Sequence, residues 1–166
     1  MSYLTELLHS GHLKSQFDCG QPLLTQYLRR QAGQDVKRQL AACFVICNER
    51  GEVKGYYTLS SAGIERKFLP EELRKKFPPS YQNLPVTLLG RLARDLNYPG
   101  ERLGELLLID ALKRSYEASV QIGSIAVIVD PIDDTARKFY LRYGFIGLPD
   151  SGKMFLPMKT IGKLFV

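Results

Sequence analysis

The segment 88–110, LLGRLARDLNYPGERLGELLLID, combines a stretch that can stay extended with one that can hold an anion. A strand pattern ends near Asp95, a turn built on Pro99 and Gly100 follows, and a long helical pattern begins at Arg102 or Leu103. The first amides of a helix have no partner inside it and lie at the positive end of its dipole. Reached through small residues, such an end cradles a phosphate or diphosphate with backbone N–H groups alone. A plain strand–turn–helix has the same spacing and needs Gly100 for its turn as well. A second group able to do chemistry is Tyr140, a proton donor within a later helical stretch. Its spacing from Ala136 equally suits an aromatic on a buried helix face.

Several elements must position these groups. Residues 22–33 read as a helix, with Leu24, Tyr27, Leu28 and Gln31 at helical spacing and Gly33 as the stop. Residues 41–47 read as a strand and 48–52 as a turn around Gly51. Residues 53–60 alternate, with Val53, Tyr57 and Leu59 on one face and Lys54, Tyr56 and Thr58 on the other, which completes a β-hairpin. A short helix at 70–76 sits in an irregular loop with Pro78, Pro79 and Pro85, before a strand at 86–95. The strongest helix is 103–118, where Leu103, Leu107 and Ala111 repeat every four residues, as do Leu108, Leu112 and Tyr116. Residues 123–130, GSIAVIVD, suit a strand buried on both faces. Asp133, Asp134 and Thr135 can cap the helix carrying Ala136, Phe139, Tyr140 and Tyr143, which Gly144 would end. Residues 153–161 read as a last strand, interrupted by Pro157 and so near an edge or bulge. The later strand–helix–strand implies a parallel pair with a right-handed crossover, and the hairpin makes the sheet mixed. The class is α/β (α+β), as a single domain over residues 1–166.

The 166 residues are 45% hydrophobic and 24% charged, an ordinary globular composition. The net charge of +6 and pI near 9.3 draw polyanions such as nucleic acid or a phosphorylated cofactor. No apolar run approaches the roughly 18 residues of a membrane span, and the N-terminus lacks the basic-then-apolar order of a secretory signal, so the cytoplasm is expected. Three cysteines, Cys19, Cys43 and Cys47, make no disulfide framework and are read as buried thiols. His9 and His12 stand without an obvious ligand cluster, so no metal is expected. The sequence GLPDSGK at 147–153 matches a nucleotide loop only superficially: Met154 replaces the required Ser or Thr, and a strand rather than a helix follows.

The segment 88–110 and the segment 133–145, DDTARKFYLRYGF, together resemble the GCN5-related N-acetyltransferases, the GNAT superfamily. The second resembles the superfamily helix N-x-x-A-x-x-F-Y-x-x-x-G-F, with Asp133 in place of Asn. The resemblance implies a central mixed, mostly antiparallel twisted sheet flanked by helices, with one parallel strand pair at the cofactor site. It implies acetyl-CoA as co-substrate, with its pantetheine arm along Leu92, Ala93 and Arg94. Its diphosphate would be held around Gly100, Glu101, Arg102, Leu103, Gly104 and Glu105, with Asp133 and Lys138 nearby. Against the family loop Q/R-x-x-G-x-G/A, Pro99 occupies the Q/R position and Arg102 the first Gly; Gly104 is kept. Backbone donors survive such changes, while the Arg102 guanidinium either reaches a phosphate or obstructs the cradle.

The elements FDCGQPLLTQYL, GYYTLS, LLGRLARD and FYLRYGF resemble the toxin-type GNAT enzymes of toxin–antitoxin systems. That resemblance implies acetylation of the α-amine of aminoacyl-tRNA, a ribbon-helix-helix antitoxin as partner, and a homodimer or monomer. The other implied readings are a GNAT acetylating a protein or small-molecule amine, and a non-catalytic GNAT-fold binding module. In the enzyme readings the amine attacks the thioester directly and Tyr140 is the general acid. A phenol titrates near 10 and a thiol near about 8.5, so the phenol holds its proton at neutral pH. The strand at 86–93 lacks the Glu some GNAT enzymes use as base, and Asp95 is the nearest carboxylate. An α-amine titrates near about 8 and is partly neutral already, unlike a lysine at about 10.4. For tRNA the basic candidates are Arg29, Arg30, Lys37, Arg38, Arg66, Lys67, Arg74, Lys75, Lys76, Arg91 and Arg94.

Overall fold

The computed structural model describes residues 2–165. Among them, seven strands form one mixed sheet in the order β1-β2-β3-β4-β5-β7-β6. They are β1 (Glu6–Leu7), β2 (Ala42–Cys47), β3 (Val53–Glu65), β4 (Asn83–Arg94), β5 (Ala126–Val129), β6 (Ile146–Gly147) and β7 (Met154–Pro157). The α-helices are α1 (Pro22–Gln26), α2 (Ala32–Lys37), α3 (Glu71–Arg74), α4 (Leu103–Ser119), α5 (Asp134–Arg142) and α6 (Met158–Gly162). The pair β4–β5 is parallel, through Thr87↔Val127 and Leu88↔Ile128, with α4 as its crossover. The pairs β1–β2, β2–β3, β5–β7 and β6–β7 are antiparallel. No helix among the described residues is long and apolar enough to cross a membrane.

The chain forms two compact units. One takes in the residues up to Ser60 with Leu89–Leu112; the other takes in Ser61–Leu88 and the residues from Lys113 onward. The core of the first contains Phe17, Tyr27, Leu28, Ala32, Cys43, Val45, Val53, Tyr56 and Ala93. Pro22 sits at the start of α1 behind an extended Gln21. A π-helical turn, Tyr27–Gln31, then leads straight into α2, so Gly33 does not end the helix as expected. A helical Gly costs only about 1 kcal/mol, and the buried Ala32 beside it keeps the helix on the core. The stop comes at Gln39, whose φ of 58° lets its own N–H and that of Leu40 close on the carbonyls of Val36 and Asp35.

In the β2–β3 hairpin a bulge lies between Ile46 and Cys47. It corrects the expected alternation. Val53, opposite Cys47, joins the face of Tyr56 and Val45 rather than that of Tyr57. The other face stacks Tyr57 on Phe44, ring centroids 5.3 Å apart. There Asp110 of α4, 5% exposed, is fully engaged. One carboxylate oxygen accepts the Leu4 N–H at 2.7 Å, and the other accepts the hydroxyls of Thr5 at 2.6 Å and Tyr57 at 2.8 Å.

In the second unit β5 is buried along its whole length, and its core includes Ile64, Leu69, Leu84, Val86, Ala126, Ile128, Leu148 and Phe155. Asp133 caps α5 by accepting the Ala136 N–H at 2.8 Å, and Gly144, with φ 93°, follows its end. The last expected strand is corrected. Pro157 ends β7, and the chain turns into α6, because Pro suits a helix start and Met158 and Ile161 are buried one turn apart. The 147–153 segment is a tight turn joining β6 to β7, with the Leu148 N–H bonded to the Lys153 carbonyl at 2.8 Å.

Gly55 sets how closely β3 can approach its neighbours. A Cβ there would lie 2.8 Å from Leu107 Cδ1 and 3.1 Å from the Ala93 carbonyl oxygen. Gly55→Ala is therefore expected to destabilise the protein by about 1–3 kcal/mol, lowering Tm by several degrees in a thermal melt. An unchanged melt would show that β3 is not held this tightly against α4 and β4.

Candidate active site

The loop from Asp95 to Arg102 is held before it presents anything. Asp95 is 4% exposed; its carboxylate accepts the Asn97 N–H at 2.7 Å on one oxygen and the Asp18 N–H at 3.1 Å on the other. Its own N–H donates to the Lys54 carbonyl at 2.7 Å, and the Leu96 N–H donates to the Asp18 carbonyl at 2.9 Å. Asp95 is thus a structural carboxylate aimed at backbone amides, which removes it as a general-base candidate.

Tyr98-Pro99-Gly100-Glu101 has the sequence of a type II turn, and Gly100 has the matching φ of 83°. A Cβ added at Gly100 would meet nothing within 4 Å, so the turn faces open space. Arg102 follows with φ 54°, the left-handed conformation that glycine adopts most readily. Its side chain is 83% exposed, with Nη1 4.0 Å from Glu105 Oε2. The guanidinium therefore stands in solvent beside Glu105 instead of filling the loop. The first bond of α4 runs from the Leu106 N–H to the Arg102 carbonyl, so the amides of Leu103, Gly104 and Glu105 precede the helical ladder. Leading into this loop, Ala93 points into the core, and Leu92 and Arg94 lie on the opposite face of β4.

Tyr140 belongs to the second unit. It is 7% exposed, and its ring makes edge contacts with Phe139 at 5.3 Å and Phe145 at 5.2 Å. Burial pushes its phenol above the ordinary range. Tyr143 packs on Phe139 with centroids 5.0 Å apart. Asp133 is engaged as the α5 cap, and Lys138 pairs with Asp134 at 3.3 Å on the exposed surface.

The basic residues divide. Arg66 donates to the carbonyls of Arg74, Phe77 and Pro78, closing the end of α3. Arg91 stacks its guanidinium on Tyr27, 3.5 Å from the ring centroid. Lys67 and Lys75 pair with Glu65 and Glu71. The Arg29 Nε is buried without a hydrogen-bond partner. Of the cysteines only Cys43 is buried, its thiol pushed up to about 12 by desolvation, while Cys19 and Cys47 are half-buried.

His9 and His12 do not stand alone, contrary to expectation, because Glu6 of β1 joins them within 4.8 Å. His12 Nδ1 accepts the His9 N–H and His9 Nδ1 accepts the Gly11 N–H, both at 3.0 Å, which places the ring hydrogens on Nε2. His12 Nε2 then donates to Glu6 at 2.6 Å and holds that carboxyl below its usual range. The rings stack 3.8 Å apart at 29°. The trio closes the turn at residues 9–12.

Sequence reasoning missed Lys54 and Asn48, which hold the loop from β3 and the hairpin turn, and the part Tyr98 plays within it. Lys54 Nζ lies 2.6 Å from Glu101 Oε1 and 4.9 Å from the Tyr98 ring centroid. Asn48 Nδ2 donates to the Tyr98 hydroxyl and to Glu52, each at 2.9 Å. Only a motif spanning the hairpin and the loop could have signalled them.

No family model matches the sequence. Single proteins do. The tRNA-acetylating toxin of Mycobacterium tuberculosis (strain ATCC 25618 / H37Rv) is 37% identical over 131 residues, 79% of this chain and 76% of that protein. A tyrosine-to-phenylalanine variant of KacT is 32% identical at TM-score 0.90, over 99% of this chain and 100% of that one. AtaT complexed with acetyl-methionyl-tRNAfMet is 30% identical at TM-score 0.89, over 99% and 100%. A tyrosine-to-phenylalanine AtaT bound to the C-terminus of the antitoxin AtaR and acetyl-CoA is 26% identical at TM-score 0.82, over 98% and 97%. The mixed sheet and its parallel pair are the fold these structures share. By this identity and coverage, the chain belongs to the toxin-type acetyltransferases of the GNAT superfamily.

Proposed function

We propose that this protein transfers the acetyl group of acetyl-CoA to the α-amine of an aminoacyl residue carried on tRNA. The observation that carries the reading is the kinship with a tRNA-acetylating toxin and with AtaT holding an acetylated aminoacyl-tRNA. The loop fits a diphosphate on its own terms. It offers unladdered amides at Leu103, Gly104 and Glu105, open space over Gly100, and an Arg102 side chain turned outward. In this reading Gly100, Glu101 and Arg102 shape the cradle, and Leu92, Ala93 and Arg94 pair their backbone with the pantetheine arm. Asp133 and Lys138 flank the cofactor, as the family resemblance implies.

Catalysis is then mostly positioning. The amine nitrogen bonds to the thioester carbonyl carbon, the C–S bond breaks, the thiolate takes the Tyr140 proton, and the proton lost by the acylated nitrogen restores the phenol through water. Burial raises the phenol above its ordinary range, which keeps the donor form populated at neutral pH and at the same time makes it a weaker acid toward the thiolate. An α-amine needs no dedicated base, which accords with Asp95 being engaged elsewhere. Both compact units act as one catalytic domain in this reading, in the cytoplasm, as a monomer or homodimer. The antitoxin-bound AtaT supports a partner antitoxin here, and we assign it to the ribbon-helix-helix class.

Tyr140→Phe keeps the packing and removes the proton. It is expected to lower kcat about 100-fold or more with little change in the KM for acetyl-CoA. In the unaltered protein kcat/KM is expected to rise with pH through the titration of the amine and to show no falling limb up to pH about 9, since the phenol titrates higher still. Undiminished turnover in Tyr140→Phe would remove the acid. Incubation with labelled acetyl-CoA should place label on aminoacyl-tRNA and none on deacylated tRNA; label absent from every aminoacyl-tRNA would overturn the substrate assignment.

A further inference from the structure

Glu101 presents a difficulty for an anion site. A carboxylate one residue before Arg102, at the positive end of α4, opposes the charge that the loop is proposed to bind. Lys54 answers it from β3, 47 residues away, with its ammonium 2.6 Å from Glu101 Oε1 and its side chain only 17% exposed. The same ammonium lies 4.9 Å from the Tyr98 ring centroid. Tyr98 and Glu101 are the first and last residues of the turn carrying Gly100, so one cation clasps both of its ends. Asn48 fixes the far side by donating to the Tyr98 hydroxyl at 2.9 Å. Lys54, Tyr98 and Asn48 border an open groove of about 450 Å³, lined also by Cys47, Glu49 and Arg50. Salt therefore reaches the pair.

Resting on the reading of this loop as the acetyl-CoA site, we infer that Lys54 is a positioning residue for the co-substrate: it neutralises Glu101 and clasps the Tyr98–Glu101 turn so that the loop accepts a diphosphate. Its role is electrostatic as well as structural, and the two separate on removal of Glu101. With Lys54 gone, the bare Glu101 carboxylate faces the anion. With both gone, no charge opposes it.

The test measures acetyl-CoA affinity by calorimetry for the full-length protein and for Lys54→Gln, Glu101→Gln and the double variant, with steady-state kinetics on each. Lys54→Gln is expected to weaken binding about tenfold at low salt, raising KM with kcat nearly unchanged, and the deficit should shrink as salt rises toward 0.5 M. Glu101→Gln, which removes the opposing carboxylate and leaves the Lys54 ammonium facing the anion, should bind more tightly than the unaltered protein at low salt, and the double variant should recover most of the loss seen in Lys54→Gln. Lys54→Arg, which keeps the charge, should bind almost normally and guards against a misfolded Lys54→Gln. Binding unaffected in Lys54→Gln, or a double variant as weak as Lys54→Gln alone, would overturn the electrostatic role while leaving the loop as the acetyl-CoA site. An unaltered protein that binds no acetyl-CoA would overturn the loop assignment itself, and this inference with it.

Discussion

The buried carboxylate of Asp95 is the fixed point of the first unit. A carboxylate taken out of water is tolerable only when hydrogen bonds replace its hydration, and here two backbone amides do so from opposite directions. One amide belongs to the loop itself and the other to residue Asp18, on a segment that precedes α1. The side chain therefore joins two pieces of irregular backbone that have no ladder of their own. With that junction set, the turn at Pro99–Gly100 and the start of α4 inherit a defined origin.

Asp110 repeats the device on the other face of β3. Its oxygens accept one amide and two hydroxyls and bring Leu4 and Thr5 against α4. Both aspartates have neutral donors among these partners, so they position backbone without demanding a buried cation. The exposed pair Arg102–Glu105, by contrast, is long at 4.0 Å and solvated, and contributes little to stability. Lys54–Glu101 lies between these extremes. The lysine is largely covered and the carboxylate half-exposed, an arrangement in which charge balance still matters and geometry is still adjustable.

Local pattern made α4, the cap of α5 and the buried β5 legible, because each is written in consecutive residues: an apolar stripe, an Asp two residues before Thr135, a β-branched run. The parallel pair followed from element order alone. Contacts across the chain were not legible. Asp95 meets Asp18 over 77 residues, Thr5 meets Asp110 over 105, and no periodicity encodes such partners. The two-residue strands β1 and β6 are too short to show alternation. Gly33 and Pro157 were misread for a shared reason: each breaks a local preference, while packing of Ala32 in one case and of Met158 and Ile161 in the other decides the conformation. Of the site, the strand, turn and helix were visible; the clasp around them was not.

Arg102 shows why a motif can lapse while its geometry persists. An anion cradle needs its amides aimed inward, and glycine is the residue that enters the left-handed region without strain. Here an arginine adopts φ 54°, at a cost of about 1–2 kcal/mol. The neighbouring anchors over-determine the path: Asp95 on one side, the Lys54 clasp in the middle, and the ladder of α4 beginning at the Arg102 carbonyl on the other. The backbone between them has one way to run, and the side chain leaves toward solvent. Strain at residue 102 is thus sustained by contacts that are already in place for the loop. At residue 102 the left-handed backbone conformation thus coexists with a side chain that points outward.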